Sequence, residues 1–401
     1  MMFSSFRRLL QHHHHYARAR ARALAPYRCI SSSRLTITKT TDQQRQKQKP
    51  PKEDLTFGTT LSDHMLSISF REGEWQAPEI KPLENLSISP AASALQYGLS
   101  CFEGMKAYKN SNDTDTDDDD DNDNTIRLFR PDKNMERLSR SMERLQMPGY
   151  DFDHVALLSC LKELLKLDKQ WIPQGDGYSL YIRPTVIATG PYLGLAAPTE
   201  LLLTVITSPV GPYYPSGAFT PITLLATSDY IRAWPHGGTG QYKIGGNYAP
   251  TMKPQAEAVA QGCSQVLWLF GDEITEVGSM NIFFIFENSD GDGDVLVTPP
   301  LDRGDILPGV TRDSILQLAH ASGLTVEERF PTMTELLGNN PPKEAFGAGT
   351  AAVVTPIDGI LYQGNKINIP ATGQWTQRFW DELTGIQYGK IEGPDGWSVV
   401  V

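Results

Sequence analysis

Lys243 stands between two glycine-rich turns, Gly237-Gly238-Thr239-Gly240 and Gly245-Gly246, with Tyr242 just before it and Tyr248 five residues after. Glycine admits positive φ and lets a backbone approach its neighbours closely, so this lysine is expected in a tight, shaped wall. Desolvation there lowers the pKa of a lysine and makes its amine a nucleophile towards carbonyls. A P-loop is excluded, because no Ser or Thr follows the lysine and the glycine spacing is wrong. Composition alone favours a surface lysine on a loop; chemistry needs partners. Leu307-Pro308-Gly309-Val310-Thr311 precedes the helical pattern of Ile315, Leu318 and Ala319. A glycine followed by the first turn of a helix offers free N–H groups and a positive dipole end to an anion, although Thr311 reads equally as an ordinary N-cap. Gly347-Ala348-Gly349-Thr350-Ala351 is a second small-residue turn with N–H groups to offer.

The elements that must position these stretches are mixed along the chain. Strands are expected at Leu66 to Phe70, Met105 to Tyr108, Ile126 to Phe129, Tyr178 to Ala188 and Leu201 to Thr207, from alternation or short apolar runs. Pro131 to Met147 reads as a helix with Met135, Leu138, Met142 and Leu145 on one stripe. Asp153 to Lys166 reads as a second, with Val155, Leu158, Leu161 and Leu165 turned inward on a 3.6-residue period. Val266 to Phe270 and Ile274 to Phe286 suggest a hairpin about Gly271-Asp272. Ser208 to Gly217 is the richest Pro/Gly stretch and the best domain boundary. The expected division is a small α/β domain over 55–208, a linker over 209–221 and a larger α/β domain over 222–401.

With 40% hydrophobic and 21% charged residues among 401, the composition is that of a soluble globular protein. No apolar run approaches the ~18 residues that a membrane helix needs. The net charge of −11 argues against a nucleic-acid footprint, though two odd segments distort it. Residues 1–41 hold seven arginines, one lysine, many Ser and Ala, and no acid. That is the composition of a mitochondrial transit peptide, with removal reasonable somewhere after Arg28-Cys29-Ile30, and it makes the His12 to His15 run incidental. Residues 42–54 read as a disordered polar linker, and folded sequence is expected from near Leu55. Asn112 to Asn124 carries eight aspartates, a solvated insertion in a hairpin loop that lacks the glycine turn and terminal glutamate of an EF-hand. Four scattered cysteines with no CxxC pair form neither a disulfide framework nor a zinc site, and no metal is expected; they suit a reducing compartment.

RAWPHGGTGQYKIGGNYAP resembles the lysine segment of the branched-chain amino acid aminotransferases. These are two-domain enzymes of fold type IV, the D-amino acid aminotransferase-like fold, that use pyridoxal 5'-phosphate (PLP). The resemblance recurs in order as LQYGLSCFEGMKAY, NMERL, SLYIRPT, SPVGPYY, VLWLFGDEITEVGSMN, PPLDRGDILPGVTRD, FGAGTAAVVTP and IQYGK. It covers roughly Leu55 to the C-terminus and is closest in kind to a fungal-like mitochondrial form. It implies a homodimer of the mitochondrial matrix that moves the amino group of L-leucine, L-isoleucine or L-valine to 2-oxoglutarate.

The resemblance also implies roles. Lys243 becomes the Schiff-base lysine and later carries a proton. Glu276 pairs with the pyridinium nitrogen and Tyr248 bonds the cofactor's O3'. Arg137, with the N–H groups of Val310 and Thr311 and with Thr350, binds phosphate. From the residues alone Arg137 is not distinguishable from Arg140 or Arg144, which look equally like members of helix-face ion pairs. The backbone of Thr350 and Ala351 receives the substrate α-carboxylate. Tyr97, Phe102, Tyr181 and Tyr213 match aromatic walls, and Leu193 and Leu195 match a loop from the partner subunit. Arg183 matches the arginine that meets the distal carboxylate of glutamate or 2-oxoglutarate. The family's mitochondrial animal members carry a redox CxxC just after the 347–351 turn; Ala352 and Thr355 stand there instead, which rules out a thiol switch. A hydrophobic pocket separates one methylene by only ~1–3 kcal/mol, so all three branched substrates should be used. Rival readings are a D-amino acid aminotransferase, an aminodeoxychorismate lyase, or a PLP-binding module without turnover. The EGMK, YIRP and VGPY motifs favour the branched-chain branch, and the intact lysine, glutamate, tyrosine and phosphate set opposes the non-catalytic module.

Overall fold

The structure, a computed structural model, describes residues 29–41, 49–109, 125–214, 217–288, 293–370 and 373–401. The aspartate-rich insertion, the histidine run and most of the expected presequence lie outside the described residues. Two sheets organise the chain. The first has ten strands and a path running Thr36–Ile37, Glu79–Pro82, His64–Arg71, Leu201–Val210, Ser179–Ala188, Met105–Lys109, Ile126–Phe129 and Ser398–Val400. All its pairings but the first are antiparallel. The second has nine, its path running Glu273–Val277, Gln265–Phe270, Ile222–Thr227, Val353–Tyr362, Glu344–Gly349, Asn281–Glu287, Asp294–Thr298 and Thr325–Glu328. No helix among the described residues is long and apolar enough to cross a membrane.

The first sheet is sealed by two helices. In Pro131–Arg144, proline occupies the first turn, where its missing N–H costs nothing, and Met135, Leu138 and Met142 are buried as expected. The helix stops short of Met147 because Gln146 turns left-handed, with φ 52°. His154–Leu167 is capped by Asp153, whose side chain accepts the Ala156 N–H at 3.0 Å. Its buried face is Leu157, Cys160, Leu161, Leu164 and Leu165. Leu161 and Leu165 point inward as read from sequence, Leu158 is only half-buried, and Val155 is 74% exposed. The apolar residues admit two overlapping 3.6-residue stripes, and packing against the sheet selects the other one.

Three expectations are corrected. Folded chain begins well before Leu55 and inside the stretch assigned to a presequence. Ile30 is buried in the first core, Arg34 Nη2 donates to the Trp75 carbonyl at 2.9 Å, and Thr36–Ile37 pairs with Glu79 and Ile80. Secondly, the chain end does not stay with the second sheet: Ser398–Val400 returns to pair with Ile126–Phe129. Trp397 holds it there, packed edge-on against Phe129 and under the Arg130 guanidinium. Lastly, the run from Ile274 to Phe286 is two strands. Gly278 takes φ 53°, so the hairpin Gln265–Phe270/Glu273–Val277 closes and Asn281–Glu287 pairs elsewhere, with Glu344–Gly349.

Candidate active site

Lys243 belongs to neither sheet. Its segment lies across the edge of the first, where Phe102 N–H donates to the Lys243 carbonyl at 3.0 Å and Ile244 bridges Cys101. Lys243 N–H in turn donates to Ser141 Oγ at 3.0 Å, on the helix Pro131–Arg144. The glycines around it serve close approach more than unusual φ. A Cβ on Gly245 would lie 2.3 Å from Ser100 Oγ, and one on Gly240 would lie 2.4 Å from the Asp305 carbonyl oxygen. Gly237 alone among them takes a left-handed φ, 99°.

This lashing aims Lys243 into a cavity of about 420 Å³. Its Nζ donates to Tyr248 Oη at 3.2 Å and lies 4.8 Å from the Phe102 ring centroid. Phe102, Tyr181, Tyr213 and Arg183 also line the space. Arg183 Nη2 donates to Tyr181 Oη at 2.9 Å, and its guanidinium lies over the Phe102 ring at 4.7 Å. Gly104 makes room for Tyr181: a Cβ there would sit 2.1 Å from the phenol oxygen.

One end of the cavity is built for an anion. Arg137 Nε and Nη2 donate to the two carboxylate oxygens of Glu103 at 2.7 and 2.9 Å, and Nη1 donates to the Pro308 carbonyl at 2.9 Å. A guanidinium has five N–H groups, so two remain beyond these three contacts, on a residue that lines the cavity. Beside it begins the helix Val310–Ala321, whose first intrahelical bond runs from Asp313 N–H to the Gly309 carbonyl. The N–H groups of Val310 and Thr311 precede that bond and have no partner within the helix. Gly309 is the N-cap, with extended backbone and no side chain. Thr311 is therefore not the cap but the second residue of the first turn.

Glu103 is fully buried. Burial alone would push its carboxyl up, but the charge and hydrogen bonds of Arg137, with Lys243 and Asn134, outweigh it and hold the group below the usual carboxylate range. Glu276 is buried behind Asn281 and Leu307, two residues that line the cavity. Asn281 Nδ2 and the Leu307 N–H donate to its Oε1 at 3.2 and 3.1 Å. Arg232 forms an ion pair with Oε2, an oxygen that no well-directed hydrogen bond satisfies. Burial pushes this carboxyl up to about 7, against the pull of Arg232 and the Leu307 N–H, and Asp305 adds to the rise.

Thr350 and Ala351 also line the cavity, in the turn between Glu344–Gly349 and Val353–Tyr362. The remaining expected residues are not brought together in the same way. Tyr97 is 45% exposed and donates to the Leu193 carbonyl, outside the residues that line this chain's cavity. Leu193 and Leu195 are 62% and 79% exposed on the same surface. Sequence reasoning missed Glu103, Asn134, Arg232, Asn281 and Phe57. Glu103 carried a usable signal, an acid enclosed by apolar residues in Cys-Phe-Glu-Gly-Met. Phe57 had none; its edge contacts with Tyr181 and Tyr213, at 4.7 and 5.5 Å between centroids, come only from folding.

The donor set fits a phosphate-bearing aldehyde with a basic ring nitrogen: an amine in a lined cavity, an anion cradle in its wall, and an under-bonded carboxylate buried behind it. The chain belongs to the class IV aminotransferases, whose family model matches residues 100–360. Within that class it is a member of the branched-chain-amino-acid aminotransferase family. The branched-chain-amino-acid aminotransferase of Dictyostelium discoideum is 49% identical over 360 residues, spanning 87% of this chain and 90% of that protein. The cytosolic one of Ovis aries is 47% identical over 386 residues, spanning 94% and 95%. The crystal structure of the Escherichia coli branched-chain amino acid aminotransferase matches with a TM-score of 0.67 at 25% identity, covering 84% of this chain and 98% of that one. The expected two-domain α/β fold of type IV is thereby met.

Proposed function

We propose that this chain binds PLP between its two sheets and transfers the amino group of L-leucine, L-isoleucine or L-valine to 2-oxoglutarate in a ping-pong cycle. The observation that carries this reading is Lys243 Nζ in a cavity also lined by Arg137, Val310 and Thr311, with Glu276 buried behind its Asn281 and Leu307 wall. When bound, PLP supplies an electron sink for the pair left at Cα and stores the amino group between substrates. Arg137, Val310 and Thr311, with Thr350, hold the phosphate. Tyr248 Oη, already accepting from Lys243, orients the phenolic side of the ring. Glu276 keeps the ring nitrogen protonated, and Arg232 holds that carboxylate in place. With PLP bound, Lys243 Nζ would be the group placed to take and hold the proton from Cα. The Thr350–Ala351 turn receives the α-carboxylate, while Phe57, Phe102, Tyr181 and Tyr213 exclude water and accept the branched side chain. Arg183 meets the distal carboxylate of 2-oxoglutarate.

Titration of the purified protein with PLP, L-leucine and then 2-oxoglutarate tests this. Uptake of PLP with a visible absorption band, bleached by L-leucine and restored by 2-oxoglutarate, is expected. A band answering D-alanine and not L-leucine would move the chain to the D-amino acid branch, and failure to take up PLP would sink the reading.

The exposed Tyr97, Leu193 and Leu195 support a homodimer in which this surface enters the partner's cavity. Light scattering should give a dimer, and the double variant L193D/L195D should weaken both the dimer and leucine turnover. The arginine-rich, acid-free leader supports delivery to the mitochondrial matrix, with a presequence ending before Ile30, since that residue is core. Relatives named mitochondrial and relatives named cytosolic match comparably, so import into isolated mitochondria is the deciding assay.

A further inference from the structure

Lys106 is a buried lysine to which the proposed function assigns no role. It lies on Met105–Lys109 of the first sheet, only 6% exposed, and its Nζ donates to the Ala351 carbonyl at 2.6 Å, a contact between residues 245 positions apart. No carboxylate among the described residues pairs with it, and burial pushes its ammonium down to about 8. A buried cation with no counter-ion is costly and is retained only where something else offsets it. Its surroundings do not supply the charge: the titratable groups sharing its small pocket are the phenols of Tyr108, Tyr213 and Tyr388, all pushed up by burial and therefore neutral.

The carbonyl it grips belongs to a strained turn. Val353 takes φ 61°, a left-handed conformation that is an outlier for a β-branched residue and persists only when neighbours over-determine it. Val353 is also the residue in register with Gly349, so 350–352 form the whole link between the two strands. Thr350, Ala351 and Ala352 face the large cavity, while Lys106 approaches the same turn from behind, through a space of only about 20 Å³.

We propose that Lys106 is a positioning residue: its ammonium fixes the Thr350–Ala351 turn through the Ala351 carbonyl and supplies the positive charge behind the substrate's α-carboxylate. The inference rests on the reading of that turn as the carboxylate site. The carboxylate is then the counter-ion that the fold itself withholds, and proton binding at Lys106 and carboxylate binding at the turn strengthen each other. Affinity for a carboxylate falls as pH rises through about 8, and affinity for a neutral ligand of the same shape does not.

Calorimetric titration of the PLP-loaded protein with 4-methylvalerate (leucine without its amino group) and with neutral 4-methylvaleramide separates charge from fit. K106M should weaken 4-methylvalerate at least about tenfold at pH 7 and leave the amide within about twofold. K106R should recover most of the loss. Wild-type affinity for 4-methylvalerate should drop between pH 7 and about 9.5, a dependence absent in K106M. Equal binding of 4-methylvalerate by K106M and wild type, or equal weakening of both probes, overturns the inference alone. A wild type that takes up PLP yet ignores 4-methylvalerate overturns the reading of the turn on which it rests. Should K106M not fold, the wild-type pH series decides: a carboxylate affinity that stays level with the amide's above pH 8 overturns the proposal.

Discussion

Glu103 and Glu276 are both buried, both paired with an arginine and both within electrostatic reach of Lys243, yet their acidities move in opposite directions. The difference lies in how fully each carboxylate is bonded. Glu103 accepts from two nitrogens of Arg137, from Asn134 and from the Gly104 N–H. Glu276 shares Asn281 and the Leu307 N–H on one oxygen, leaves the other to an ion pair with Arg232, and faces the like charge of Asp305. A saturated carboxylate is a fixed charge suited to presenting Arg137 to a phosphate. An under-bonded one retains a site for a proton or for a proton-bearing ring nitrogen. The pairs look alike in composition and differ in acidity because desolvation is offset in one and not in the other.

Removing the group between them should have the largest effect. K243A is expected to abolish leucine-dependent bleaching and to lower turnover by at least about a thousandfold, read by stopped-flow absorbance, while the protein still folds. Next comes E103Q, which leaves Arg137 buried without its counter-charge. A loss of about 3–5 kcal/mol is expected in urea unfolding of the apo-protein, together with weaker PLP binding.

E276Q should lower kcat about a hundredfold while costing the apo-protein far less stability than E103Q. The pH dependence sharpens the contrast, because the two carboxyls have opposite linkage. For Glu103, whose folded pKa is depressed, the stabilisation is present above its ordinary value of 4.5 and is lost as pH falls through the folded value. For Glu276, whose folded pKa is raised, the stabilisation is present below 4.5 and is lost as pH rises to about 7. Unfolding free energies of wild type and E276Q between pH 5 and 7.5 should therefore converge in slope for all groups but this one, with wild type falling more steeply. If E103Q and E276Q cost the same and leave the same pH slope, the distinction drawn here is wrong. The smallest effect is that of S141A, which removes the acceptor of the Lys243 N–H and with it the tie between the lysine and the Glu103 side. About 1–2 kcal/mol of stability should go, with little change in kcat.

Much of the fold was legible because the signals were local. The strands Ile126–Phe129 and Ser179–Ala188 and the helix Pro131–Arg144 announce themselves by alternation, by period and by a proline in the first turn. Legibility failed where tertiary contacts chose between local options. The helix His154–Leu167 could bury either of two stripes, and the sheet chose the one that leaves Val155 in water. Residues 29–41 read as leader because nothing local reveals that Ile30 fills a core or that Thr36–Ile37 finds Glu79 and Ile80.

By itself the sequence determined the reacting groups: an amine among glycines, a glycine before a helix, and a small-residue turn, in an order that resembles one enzyme family. It could not choose Arg137 over Arg140 and Arg144, because position on a helix face says nothing of what lies opposite that face. Tertiary structure distinguishes it by placing buried Glu103 and the Pro308 carbonyl against that one guanidinium, on a residue that lines the cavity. Structure also turned Tyr97, Leu193 and Leu195 outward and set Lys106 behind the Ala351 carbonyl. The physical reason is the same throughout: residue type fixes what chemistry a group can do, whereas charge state and role depend on burial and partners, which come from parts of the chain hundreds of residues away.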